Sequence, residues 1–175
     1  MTQVRLKTSF GDIDIGLNSH AVPKTVENFL NYVRSGHYDG TIFHRVIDGF
    51  MIQGGGFTEL MQQKSVQDPI ANEGKQGAGA GLKNNKYTVA MARTNDPHSA
   101  TAQFFINTVD NDFLNFQNET TQGFGYCVFG TVVNGQSVVD QIAKVKTGSQ
   151  NGFRDVPVQA VVIEKAEELS DAIVN

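Results

Sequence analysis

The sequence predicts a mainly β fold: a closed eight-stranded antiparallel β-barrel with two α-helices covering its ends. Three observations lead there. Short runs with two-residue alternation recur about eight times, helical spacing appears in only two segments, and most of the strand runs follow one another with no helix between them. A parallel doubly wound sheet would need a helical crossover after each strand.

Val4 and Leu6, then Ile13, Ile15 and Leu17, alternate with polar residues around Ser9-Phe10-Gly11, the pattern of two half-buried strands joined by a turn. At Pro23 the period changes. Val22, Val26, Phe29, Leu30 and Val33 recur at helical spacing, Pro23 suits a first helical turn and Gly36 supplies a stop. Ile42 to Ile47 and Met51 to Gln53 flank Asp48-Gly49 as strand, turn and strand. From Gly54 to Lys86 the chain is rich in Gly, Gln, Asn and Lys and shows neither period, so a surface loop is expected there, of a length that usually serves function. Strand patterns return at Tyr87 to Ala92, Gln103 to Thr108 and Tyr126 to Val133. A second helix is expected over Ser137 to Val145, where Val138, Val139, Ile142 and Val145 share a face after the Asn134-Gly135 turn, and Val158 to Glu164 is expected to close the fold. No internal repeat is visible, and 175 residues suffice for one core but are short for two, so residues 1–175 are expected to form a single domain.

Composition narrows the function. Hydrophobic residues make up 39% and charged residues 18%, which is ordinary for a globular chain and unlike a disordered one. A formal net charge of -4 gives no general attraction to phosphates or anionic lipids, so nucleic acid is not expected as a partner. Cys127 is the single cysteine, which rules out an intramolecular disulfide and reads as a small buried hydrophobe. No window approaches a membrane span and the N-terminal residues carry no secretory pattern, so a cytoplasmic protein with no membrane association is expected.

Several familiar patterns fail on inspection. Gly77-Ala78-Gly79-Ala80-Gly81 has the wrong spacing for a dinucleotide loop and is expected to lack the strand before it and the helix after it. Gly74-Lys75 has Pro69 where a phosphate loop needs its first glycine and Gln76 where it needs Ser or Thr. Asn118-Glu119-Thr120 fits a glycosylation sequon but has no secretory context, and no serine sits in a nucleophile elbow. His20, His37, His44 and His98 lack metal-ligand spacing, so neither a metal nor any other cofactor is expected.

One constellation remains. If the hairpin loop spans Asp48 to Phe50, then Ile47 faces Met51 and Arg45 faces Gln53, which puts Arg45, Met51 and Gln53 on one side. A two-residue loop would instead set Arg45 against Ile52; the first register is preferred because the Gln53 amide can hold an arginine and an isoleucine cannot. Alternation likewise gives Gln103 and Phe105 one face, with Phe104 and Ile106 on the other. His44 points away from its neighbour Arg45 and is assigned no catalytic role.

Phe43-His44-Arg45-Val46-Ile47, followed by Asp48-Gly49-Phe50-Met51-Ile52-Gln53-Gly54-Gly55, resembles the signature hairpin of the cyclophilins. Met91-Ala92-Arg93 and Ala102-Gln103-Phe104-Phe105-Ile106-Asn107 resemble that family's second signature, and the similarity continues through Phe113-Leu114 and Val128-Phe129-Gly130. Both motifs in order, over nearly the whole chain, are highly specific, and the run from Met91 to Leu114, with Tyr126 and Cys127, looks most like the cytoplasmic bacterial branch. The resemblance implies a peptidyl-prolyl cis/trans isomerase that needs no cofactor. It implies Arg45 and Gln53 as catalytic residues, with Phe50, Met51, Ala92, Arg93, Gln103, Phe105, Phe113, Leu114 and Tyr126 binding substrate. Partners would be proline-containing peptides and unfolded or folding proteins, met by a monomer; the alternative is a proline-peptide binding module or chaperone with little turnover. Phe113 stands where many members carry tryptophan and Tyr126 where histidine is common, which keeps an aromatic wall but implies at most weak cyclosporin binding.

Overall fold

The computed structural model describes residues 1–169; residues 170–175, which the expected single domain includes, lie outside the described residues. The chain opens with β1 (Gln3–Thr8) and β2 (Gly11–Leu17), then α1 (Pro23–Arg34), β3 (Thr41–Ile42), β4 (Arg45–Ile47) and β5 (Met51–Gly54). A short α2 (Gly74–Gly79) precedes β6 (Thr88–Met91) and β7 (Phe104–Asn107). A 3-10 turn (Asp112–Leu114), β8 (Val128–Asn134), α3 (Gln136–Ala143), β9 (Thr147–Gln150), β10 (Phe153–Pro157) and β11 (Val162–Leu169) complete it. Among the described residues, eleven strands and three helices thus stand where eight and two were expected.

Nine of the strands form one strongly curled antiparallel sheet in the order β3-β11-β1-β2-β8-β6-β7-β5-β4, and β9 pairs with β10 as a separate hairpin. The two edge strands, β3 and β4, are separated in the chain by Phe43 and His44 alone. This bend lies hard against β5: a Cβ on Gly54 would come within 2.7 Å of the Ile42 carbonyl, and one on Gly55, at φ +90°, within 2.8 Å of the Tyr38 ring. Those two approaches explain why glycines follow Gln53.

The alternation seen in sequence is the alternation that fills the core. Val4, Leu6, Ile13, Ile15 and Leu17 are buried together, and α1 lays Val26, Phe29, Leu30 and Val33 against them. Phe29 is the hub, its ring 5.3 Å from Tyr38, 5.6 Å from Phe104 and 5.0 Å from Phe129. No side chain of its own caps α1; Glu73 takes that place from 48 residues away, accepting bonds from the Thr25 N–H at 2.6 Å and the Thr25 hydroxyl at 2.7 Å. A carboxylate at a helix N-terminus answers both the unpaired N–H groups and the helix dipole. Cys127 is buried as expected, and its thiol is pushed up to about 11, chiefly by burial.

The departures have local causes. α2 was missed inside the expected loop because Gly-Lys-Gln-Gly-Ala-Gly carries no large apolar residue and hence no helical period. The hairpin of β9 and β10 is largely exposed and so lacks alternation, although Asn151-Gly152 marks its turn. The last strand begins at Val162, four residues later than expected, and runs on through charged Glu164 to Glu168. Its charges are paired on both faces, Glu168 with Arg34 of α1 at 2.9 Å and Glu167 with Lys7 of β1 at 3.4 Å.

His44 sits in a small satellite core, with its ring 4.6 Å from Phe57 and 6.5 Å from Phe153. It is 5% exposed and its Nδ1 has no partner. Burial, aided by the Arg45 charge, pulls its pKa from 6.5 down to about 4. The unfolded chain therefore binds the proton that the folded chain refuses, so stability present above pH 6.5 is lost as pH falls towards 4. The expected loss from this group is about 3 kcal/mol. Urea unfolding at pH 7 and pH 4.5 should show a markedly smaller decline in His44→Leu than in the parent; parallel declines would remove His44 from the acid response.

Phe104 and Phe105 make a second test of the fold. Phe104 is fully buried in the main core, whereas Phe105 belongs to a separate cluster with Met51, Ala90, Leu114 and Val128. Phe104→Ala is expected to cost roughly 3 to 5 kcal/mol and Phe105→Ala less. Denaturant unfolding of both variants separates them, and a more fragile Phe105→Ala would invert the assignment of faces.

Candidate active site

The site is laid out by strand register. Arg45 of β4 pairs with Gln53 of β5, Gln53 with Phe105 of β7, Phe105 with Ala90 of β6, and Ala90 with Val128 of β8. Adjacent strands lie about 4.8 Å apart, so one transverse row brings a cation, an amide and an aromatic ring side by side. Alternation turns this row away from the main core, since Ile52, Phe104, Ile106, Val89 and Met91 point inward.

The hairpin register is the expected one, with Ile47 opposite Met51, but the reason is different. Gln53 does not hold Arg45: its Nε2 donates to Gln103 Oε1 at 3.0 Å, and Arg45 is exposed with no hydrogen bond or ion pair among the described residues. The register is instead secured by the Phe50 N–H on the Ile47 carbonyl at 3.1 Å and by Val46 and Ile52, opposite each other and buried.

Arg45, Phe50, Met51, Gln53, Ala92, Arg93, Phe105, Leu114 and Tyr126 line a cavity of about 130 Å³. A cavity of about 150 Å³ accepts a benzene ring, so a five-membered ring is well matched. The walls are apolar below and polar at one side. Met51 and Phe105 are 2% and 4% exposed, and the Tyr126 ring stands edge-on to Phe105 at 5.5 Å. Two expected residues lie outside the lining. Gln103 belongs to an adjoining polar cavity with Gln53, Gln63, Thr94, Ser99 and Thr101. Phe113 is 68% exposed and stacks on Phe50 with centroids 5.8 Å apart, so it forms a rim above the cavity rather than its wall.

Arg93 is also in the lining, yet its donors are spent on the protein. Nε donates to the Gly125 carbonyl at 2.8 Å, Nη1 to Thr94 and Asn95 at 2.9 and 3.3 Å, and Nη2 to Thr121 at 3.0 Å. Its plane lies over the Tyr126 ring at 4.8 Å. Two of its N–H groups therefore fasten the loop that carries Tyr126 and two more brace its own segment, and the rigid fork of a guanidinium is what permits this. Two arginines thus share the cavity, one tied down and one free.

The sequence reading missed what stands behind these walls. Asn84, in the stretch expected to be surface loop, is 1% exposed and donates to the carbonyls of Leu114 and Tyr126. An asparagine within Lys83-Asn84-Asn85-Lys86 carries no local sign of burial.

This arrangement, a curled antiparallel sheet bearing an exposed arginine beside a ring-sized cavity walled in part by Met51, Phe105 and Leu114, defines a class of β protein with a small binding cavity on the face of the sheet away from the main core. Comparison with known proteins names it. Residues 3–168 match the family model for cyclophilin type peptidyl-prolyl cis-trans isomerases, and the chain belongs to that family. It is 66% identical to peptidyl-prolyl cis-trans isomerase cyp18 of Streptomyces antibioticus, over 97% of this chain and 99% of that one. It is 58% identical to peptidyl-prolyl cis-trans isomerase B of Escherichia coli (strain K12), over 92% and 96% of the two chains. Among solved structures, a cyclophilin type isomerase of Cryptosporidium parvum, crystallised in the presence of the dipeptide Ala-Pro, superposes with a TM-score of 0.71 at 27% identity, covering 97% and 99% of the chains.

Proposed function

We propose that this cyclophilin-type isomerase turns over Xaa-Pro bonds by seating the proline ring in the cavity of Phe50, Met51, Phe105, Leu114 and Tyr126 while Arg45 bonds to the twisting amide. The observation that carries this reading is the free guanidinium of Arg45 at the mouth of a cavity of about 130 Å³. The prolyl bond resists rotation by roughly 18 to 20 kcal/mol because resonance stiffens it. As it twists, the nitrogen lone pair leaves conjugation and becomes an acceptor, so a donor held there binds the transition state better than the planar ground state. The twisted amide is also less dipolar, and the apolar walls favour it for that reason.

The magnitudes suffice. Raising a spontaneous flip of tens to hundreds of seconds to roughly 10 to 1,000 turnovers per second takes about 3 to 7 kcal/mol. A charge-assisted hydrogen bond contributes a few kcal/mol, and desolvation with fixed orientation supplies the rest. Gln53 serves as the second catalytic residue, its amide pinned by Gln103 at 3.0 Å and its backbone registered beside Arg45. Ala92 and Arg93 border the peptide path, with Arg93 acting mainly through the loop it fastens.

Proline-containing peptides and folding or unfolded proteins are the substrates of this reading, in keeping with the Ala-Pro dipeptide present with the Cryptosporidium parvum relative. The protein acts as a monomer, since one chain supplies the whole cavity. It acts in the cytoplasm, a setting that suits its single buried thiol, and no helix among the described residues is long and apolar enough to cross a membrane.

Arg45→Ala is expected to lower the isomerisation rate of a short Xaa-Pro peptide by about a hundredfold or more with little change in thermal midpoint. Activity within about threefold of the parent would take Arg45 out of the mechanism.

Cyclosporin should bind weakly, because Phe113 offers an exposed ring without the N–H that an indole would give a ligand carbonyl. Phe113→Trp should tighten inhibition by roughly ten- to a hundredfold and leave peptide turnover near the parent value. Inhibition titrations of the two proteins decide this, and equal constants would show that the aromatic at this rim does not set drug sensitivity.

A further inference from the structure

We infer that three buried asparagine side chains, Asn111, Asn107 and Asn84, form a linked device that positions the walls of the proline cavity from behind; this deepens the isomerase reading above and rests on it. They are 4%, 0% and 1% exposed. Asn111 Nδ2 donates to the Phe50 carbonyl at 3.0 Å and to Asn107 Oδ1 at 2.9 Å. Asn107 Nδ2 donates to Asn84 Oδ1 and to Thr88 Oγ1, both at 3.0 Å. Asn84 Nδ2 in turn lies 3.2 Å from each of the Leu114 carbonyl, the Tyr126 carbonyl and Asn115 Oδ1. Phe50, Leu114 and Tyr126 all line the cavity, yet they come from three separate elements: the turn before β5, the end of the 3-10 turn and the lead-in to β8.

The chemistry of the link requires amides. At each joint one side chain must accept while the next donates, and Asn107 must give two protons while accepting a third, which a carboxamide can do and a hydroxyl, with one proton, cannot. A carboxylate at 107 would set oxygen against Asn84 Oδ1 and against Thr88 Oγ1, whose own proton is given to the Asn85 carbonyl at 2.7 Å. Main-chain bonds repeat the same connections: Asn111 N–H to the Asn84 carbonyl at 2.8 Å, Leu114 N–H to Asn111 at 3.0 Å and Tyr126 N–H to Leu114 at 2.9 Å. A buried polar network with every amide proton used specifies one arrangement of the groups it joins. Mere packing would be served equally well by apolar side chains of the same volume. Since the three carbonyls at its ends belong to residues that line the cavity, the arrangement it specifies is the spacing of Phe50, Leu114 and Tyr126.

The test compares Asn107→Asp and Asn84→Ala with Val4→Ala, a control that loses core volume in β1, away from the cavity. An Ala-Pro peptide is titrated by NMR for its Kd, and its turnover is measured at a temperature where every variant is folded by near-ultraviolet circular dichroism. Both asparagine variants should raise the peptide Kd by about tenfold or more while kcat stays within about threefold, because a misplaced wall loses ground-state and transition-state contacts alike. Val4→Ala should change neither, although it too lowers the thermal midpoint. Amide exchange adds a readout independent of turnover: the Tyr126 and Thr108 N–H groups, bonded to Leu114 and Phe50, should exchange faster in the asparagine variants and not in the control. Should Asn107→Asp fail to fold, Asn111→Ala removes only the Phe50 end and puts the same question. A Kd within about twofold of the parent in the folded asparagine variants would overturn the inference. An inactive parent would overturn the isomerase reading instead, with the affinity comparison still deciding this one.

Discussion

The constraint on which the site depends is the register of four antiparallel ladders. A slip of one residue in β5 against β4 or β7 would send Met51 and Gln53 into the core and bring Ile52 out to the cavity. The main core prevents that slip. Ile52, Phe104, Ile106 and Phe129 are fully buried, and Phe29 closes over the two phenylalanines from α1. Packing on one side of the sheet therefore fixes chemistry on the other. The row from Arg45 to Val128 exists because its neighbours have nowhere else to go.

Two arginines in one cavity show how surroundings assign different work to the same side chain. Arg93 meets four carbonyls and an aromatic face, and becomes part of the wall. Arg45 meets no partner among the described residues, and its donors are left free. A guanidinium already bonded to the protein cannot gain much from a twisting amide, whereas a free one can. The apolar walls matter for the same reason, since a donor facing a desolvated amide acts in a lower dielectric than one facing water.

Several buried polar groups elsewhere connect elements that hydrophobic contact alone would leave free to shift. Glu73 ties the segment before α2 to the start of α1, and the Tyr38 hydroxyl bonds the Ala102 carbonyl at 2.7 Å just ahead of β7. The asparagine link does this for the cavity itself. Two buried atoms depart from this, Thr108 Oγ1 and His44 Nδ1, which have no partner, and the second makes its small core sensitive to acid.

The sequence by itself determined the mainly β class, the first hairpin, α1 and α3 within two residues, the Arg45–Gln53 register and the opposite facing of Phe104 and Phe105. These are properties of short segments, where a period of two or 3.6 sorts side chains into inside and outside before any long-range contact forms. Nine of the eleven residues expected at the site do line one cavity, and all of them but Leu114, which ends the 3-10 turn, lie within strands or within two residues of one. What the tertiary structure alone decided was partnership across the chain. Arg93 finds carbonyls up to 32 residues away, Glu73 caps a helix 48 residues back, and Asn84 meets Leu114 and Tyr126 beneath the surface. Phe113 is set on the rim for a similar reason: its place depends on Phe50 from another element. A polar side chain reads as solvated in sequence because its hydrogen-bonding partner is as often water as protein, and only the folded backbone brings the carbonyl that replaces the water.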